Sequence, residues 1–137
     1  MSYGMAAALQ TALFQHLAAD PALAAMTGGA IFDAAPQGVV PDLYVALGPE
    51  EARERGDGSG PGAEHRVTVS VVSAGAGFLA AKQAAGIVSD SLESAALALD
   101  RGRLVSLAFL RARARRSRDG QMRRIDLTFR ARVDDGA

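Results

Sequence analysis

Two alternating runs joined at Asp119-Gly120 constrain this chain more than any other stretch. From Gly102 to Val133 it reads GRLVSLAFLRARARRSRDGQMRRIDLTFRARV. Asp-Gly favours a tight hairpin turn, because both centre positions tolerate positive φ. In the second run Ile125, Leu127, Phe129, Ala131 and Val133 fall on one face, and Arg124, Asp126, Thr128, Arg130 and Arg132 on the other. Period two is the signature of a strand. In the first run Val105, Leu107 and Phe109 are expected to share a face that continues outward as Arg111, Arg113 and Arg115. The hairpin spanning 103–133 is thus expected to be apolar near its base and basic towards its tip.

The chain has 137 residues, which suits one domain with one core rather than two. Alanine supplies much of the hydrophobic content and tryptophan is absent, so a thin core is expected, leaning on partner subunits for stability. Without cysteine there are no disulfides or thiolate metal sites. The longest apolar runs are interrupted well short of a membrane span. The opening MSYGMAAALQ has no basic stretch of a signal peptide, so a cytoplasmic site of synthesis and assembly is expected.

Formal charge sums to zero but is unevenly placed. Between Arg103 and Val133 ten arginines face only Asp119 and Asp126, while the remainder holds thirteen carboxylates against five bases, giving +8 and −8. Such a split suits head-to-tail self-association. The simpler alternative is that arginines on an edge hairpin only block edge-to-edge aggregation.

Taken in order, Ser2 to Ala19 reads as a helix with Met5, Leu9, Leu13 and Leu17 as its buried row and His16 at the boundary. Asp20-Pro21 reads as cap and first residue of a short helix through Met26, ended by Gly28-Gly29. Ile31-Phe32 makes a brief strand, and Leu43, Val45 and Leu47 mark a second, bracketed by Pro41 and Pro49. Glu50 to Glu64, EEARERGDGSGPGAE, reads as a flexible loop, either one that orders only against a partner or a solvated connector with no role. His65 to Ser73 is a third strand, with Val67, Val69 and Val71 on the covered face, as in an antiparallel sheet with helices on one side. Phe78 to Ser94 is the second main helix, burying Ala81, Ala85, Val88 and Leu92, and Ala95 to Leu99 reads as a short strand.

Candidate chemistry is sparse. Gly75-Ala76-Gly77-Phe78-Leu79-Ala80 fits G-x-G-x-x-A, but the preceding strand alternates with polar residues and no second βα unit follows. The set Asp57, Glu64 and His65 is spread over a loop and reads as solvated surface, not a metal site. The serines lack an elbow motif, and neither histidine has an evident orienting carboxylate, so no enzyme and no cofactor are expected. Arg111, Arg113, Arg115, Arg116, Arg118, Arg123 and Arg124 could straddle a phosphate backbone, which keeps a non-specific nucleic-acid-binding module as the alternative reading. No aromatic interleaves them, so base stacking has no platform.

The order of these pieces carries a resemblance. A helix ending near LAADPALAAMTGGAIFDAAPQG (Leu17 to Gly38), then PDLYVALGPEE, then EHRVTVSVVS (Glu64 to Ser73), a helix, and the long C-terminal hairpin resemble the tail terminator, or tail-completion, proteins of long-tailed bacteriophages and alphaproteobacterial gene transfer agents. The resemblance spans nearly the whole chain. It implies an α+β fold, a mostly antiparallel sheet with two main helices packed on one face. It also implies a structural task and no catalytic residues. Subunits would form a hexameric ring that caps the tail tube, ends its polymerisation and docks the head's connector or stopper proteins. DNA would pass through the lumen, and no membrane is involved. On this reading the arginines of 111–124, together with Glu50, Glu51, Glu54 and Asp57, are candidate inter-subunit, tube or lumen contacts.

Overall fold

A computed structural model describes residues 3–54, 62–75, 77–93 and 95–135. The elements in chain order are α1 (Ala6–Ala18), α2 (Pro21–Thr27), β1 (Ile31–Phe32), β2 (Leu43–Glu54), β3 (Gly62–Ser73), α3 (Leu79–Glu93), β4 (Arg103–Arg116) and β5 (Arg123–Asp134). The strands form one sheet in the order β1-β2-β3-β5-β4. Only β1 is parallel to its neighbour, and the other three pairings are antiparallel. The fold is α+β, with a C-terminal hairpin. Among the described residues no helix is long and apolar enough to cross a membrane.

One core joins the helices to one face of the sheet. Leu9, Leu13 and Leu17 from α1, Leu23 from α2, and Ala81, Ala84, Ala85, Val88 and Leu92 from α3 pack on Val45, Val69, Val71, Ile125, Leu127, Phe129 and Val133. The helical rows recur every third or fourth residue and the strand rows every second, so each element turns a single apolar side to the other layer. Alanines on α3 let that helix lie close over the sheet.

Local chemistry sets the helix ends. Asp20 is the N-cap of α2, its side chain accepting from the Leu23 N–H at 3.0 Å, and Pro21 follows where a missing N–H costs nothing. Gly28 ends the helix in the left-handed region at φ 64°. The cap hydrogen bond from the Leu23 N–H holds the Asp20 carboxyl below its ordinary value. A depressed folded pKa gives stability that is present above the ordinary carboxylate range and is lost as pH falls through the folded value. Asp20→Ala is therefore expected to cost about 0.5–2 kcal/mol at neutral pH. The deficit should shrink in strongly acidic solution, and urea unfolding at both pH values reads it.

Several expectations are corrected. Pro49 does not stop β2, which continues to Glu54. The ladder with β3 shifts between Leu47 and Glu50, so Gly48-Pro49 forms a bulge. Proline is tolerated because β1 pairs only with Val45 and Ala46, leaving this part of β2 without an outer partner among the described residues. Glu50–Glu54 and Gly62–Glu64 are thus strand rather than flexible loop; the remainder of that expected loop, Asp57 included, lies outside the described residues. Ala95 to Leu99 keeps its alternation, with Ala95, Leu97 and Leu99 half-buried, but it is not a strand, because among the described residues no strand pairs with it.

The hairpin turn also differs. It spans six residues, 117–122, and only Gly120 takes positive φ, at 74°. The Gly120 N–H donates to the Ser117 carbonyl at 3.0 Å, as in a type I turn closed by a left-handed glycine. Asp119 is held instead by its carboxylate, which accepts from the Ser117 hydroxyl at 2.6 Å and the Gln121 N–H at 3.0 Å.

Candidate functional site: the arginine face of the sheet

Two bulges decide what β4 presents. Its register against β5 shifts between Leu104 and Ser106 and again between Phe109 and Arg111, so Val105 and Leu110 are extra residues. Each extra residue reverses the in-out alternation. Leu104, Leu107, Phe109, Ala112 and Ala114 pair with core-facing residues of β5, whereas Arg111, Arg113 and Arg115 pair with Thr128, Asp126 and Arg124. The expected single face running from Val105 through Arg115 does not exist. The three arginines lie on the opposite face from Leu107 and Phe109.

That opposite face has two regions. At the β1 end a small second cluster of Ala30, Tyr44, Ala46 and Val72 is backed by Phe32, Val40 and Met122. Elsewhere the rows across β2, β3, β5 and β4 are polar: Ser70, Asp126, Arg113; Thr68, Thr128, Arg111; Glu51, Arg66, Arg130, Ala108; Arg53, Glu64, Arg132, Ser106. Asp126 organises the basic side. It accepts from the Ser70 hydroxyl at 2.6 Å, Arg124 Nε at 2.9 Å and Arg115 at 3.3 Å, while Arg124 also donates to Ser70 Oγ at 3.1 Å. Arg66 donates to Glu64 at 3.2 Å, with Glu64 itself buried.

Small side chains leave a trough in the middle. Pro49, Thr68, Thr128 and Arg111 line two adjoining depressions of about 300 and 520 Å³, one opening towards Arg113, Arg115 and Arg124, the other towards Glu51 and Arg66. The trough exists because the bulges of β2 and β4 flank the same row, Thr68–Thr128. Arg111, Arg113, Arg115, Arg116 and Arg118 are all exposed. Clustered guanidinium forks of this kind suit carboxylate or phosphate oxygens.

Other expected contact residues are placed differently. Arg123 is buried on the helix side, where it donates to the Gly120 carbonyl at 2.9 Å and lies 5.6 Å over the Phe78 ring. Glu51 and Glu54 are exposed on β2, but Glu50 is turned to the helix side.

There Glu50 corrects another expectation. His65 is fully buried, and its Nδ1 lies 3.0 Å from Glu50 Oε2. The Tyr3 hydroxyl donates to Glu50 Oε1 at 2.5 Å, and the Tyr3 ring stacks on His65 at 6.0 Å. Far from standing alone on solvated surface, His65 has an orienting carboxylate, supplied by the part of β2 that runs past Pro49. The hydrogen bond to Glu50 raises the Tyr3 phenol above its ordinary value. Nε2 has no hydrogen-bond partner among the described residues, so Glu50→Ala would strip the imidazole of the one it has. A loss of about 1–3 kcal/mol is expected in denaturant unfolding. An unchanged midpoint would show that this clamp contributes nothing.

His16 sits half-buried, its Nε2 donating to the Ser91 carbonyl at 3.0 Å. Among the described residues no group of three or more His, Asp or Glu side chains could hold a metal ion. The glycine motif is preceded by β3, antiparallel to both neighbours, which removes the dinucleotide reading.

Comparison with known proteins agrees with this architecture. A chain in a solved structure of the virion of a native gene transfer agent particle is 53% identical, with a TM-score of 0.90, over 97% of this chain and 99% of that one. No curated protein matches the sequence. Residues 11–134 match the family of tail completion protein gp17, and with nearly the whole chain inside that match, the protein belongs to this family of structural tail proteins.

Proposed function

We propose that this protein is a tail terminator of a phage-like particle. Its subunits close into a hexameric ring on the end of the tail tube, stop further polymerisation of the tube protein and offer a surface to the head's connector or stopper protein. DNA crosses the ring during delivery. The observation that carries this reading is the near full-length similarity to a chain of a gene transfer agent virion. The protein then resides at the neck of the particle, after assembly in the bacterial cytoplasm.

The charge distribution supports a closed ring. A basic sheet face and an otherwise acidic chain suit a heterologous contact repeated around an axis. Gold-labelled antibody on tailed particles tests the assignment: label between head and tube is expected, and label at the distal tip or on no particle would overturn it. The exposed arginines favour a second reading, phosphate binding without sequence preference. In that case the free protein would bind duplex DNA with a steep dependence on salt.

A further inference from the structure

The two edges of the sheet are unlike each other, and they match. β4 is the last strand, and its outer edge has no partner among the described residues. At the other side β1 covers only Val45 and Ala46, leaving β2 without an outer partner from Leu47 onward among the described residues. Long open edges are normally covered, charged or paired with another chain.

The β4 edge carries apolar side chains. Phe109 is 46% exposed although its ring meets Phe129 edge-to-face at 5.9 Å, and Val105, the extra residue of the first bulge, is 50% exposed. At the β2 edge a groove of about 540 Å³ runs beneath α1. Ala6, Ala7, Thr11 and Phe14 form one wall, with Asp33 and Glu50 opposite. Knob and groove lie on the same face of the sheet. They also lie in the same transverse row, since Glu50 pairs with Val67, Val67 with Phe129, and Phe129 with Phe109. Charge agrees with shape. β4 holds Arg103, Arg111, Arg113, Arg115 and Arg116 and no carboxylate, while β2 from Gly48 to Glu54 holds three glutamates and one arginine.

We propose that the β4 edge of one copy docks beside β2 of a second copy, with Phe109 seated in the groove under α1. Because β4 runs antiparallel to β2 within one chain, the neighbouring strand arrives in the direction that continues the alternation of the sheet. The bulges of β4 interrupt any continuous backbone ladder, so side chains carry the contact. Donor and acceptor surfaces differ, so the contact is heterologous: every copy uses both edges, and repetition makes a ring or a filament rather than a two-fold dimer. The inference rests on the proposed assembly role and assigns the surfaces that would serve it.

The chain has no cysteine, which allows a clean test. Particles are assembled with Leu110→Cys, beside the knob and half-exposed, and Thr11→Cys in one chain, treated with a short bismaleimide and run on a denaturing gel. A ladder extending past the dimer is expected, and neither single variant should give it. A dimer from Leu110→Cys alone, or no ladder from the double variant while the protein is present in particles, would overturn the contact. Ala7→Arg gives a second reading that does not depend on cross-linking. It fills the groove from an exposed helix position and should exclude a normally folded chain from particles, whereas Gln83→Arg on exposed α3 should not. Incorporation of Ala7→Arg at the wild-type level would overturn the proposal. Absence of the wild-type chain from particles would instead remove the assembly role itself.

Discussion

Phe129→Ala is expected to lower stability by about 3–5 kcal/mol, the range for truncating a fully buried aromatic. Phe129 is 1% exposed, sits in the central pair β3–β5, and is the largest of the fully buried side chains. It bridges the core proper, through Val67, and the knob of the free edge, through Phe109. A domain of this size has about 5–15 kcal/mol in all, so the variant should unfold at much lower urea or fail to accumulate. A loss below about 1 kcal/mol would mean that the site relaxes freely, outside the usual behaviour of such cores.

Reversing Arg111, Arg113 and Arg115 to glutamate together should have the largest effect on assembly and a small one on folding. All three are exposed on the uncovered face, and Arg111 and Arg113 make no ion pair with a described residue. Surface changes of this kind usually cost within about 0.5 kcal/mol each. Arg115 adds the loss of a 3.3 Å contact to Asp126 and places a like charge beside it. The reversal changes the face by six charge units, which turns attraction to an acidic partner into repulsion. The expected outcome is a normal circular dichroism spectrum with no tailed particles. Arg-to-lysine at the same three positions keeps the charge but removes the planar fork, and should assemble partially. Normal tails from the glutamate variant would exclude this face from assembly.

Much of the architecture is legible in local pattern. Leu9, Leu13 and Leu17 mark α1, Asp20-Pro21 and Gly28 bound α2, and the strict alternation of 125–133 marks β5, because each signal is carried by residues within a few positions of one another. The family was legible in the same way, through the order of such pieces.

What local pattern misread depended on partners distant in sequence. β2 continues past Pro49 because β3 offers a ladder to Glu50–Glu54 and the proline lies on the open side. Ala95–Leu99 alternates like a strand, but no described strand pairs with it, and alternation without a ladder is only extended chain. The faces of β4 were inverted by two bulges, features set by pairing with β5 and invisible in the spacing of β4 alone. His65 looked solitary because Glu50 lies fifteen residues away and reaches it only across the β2–β3 pair. The sequence by itself determined the elements, the helical and strand rows of the core, the unequal charge and the family. Only the tertiary structure decided which face the arginines occupy, that Arg123 and Glu50 turn inward, and that Phe109 and the groove under α1 share one row. Periodicity is a property of a segment, whereas register, bulges and edges are properties of the pairs that segments make.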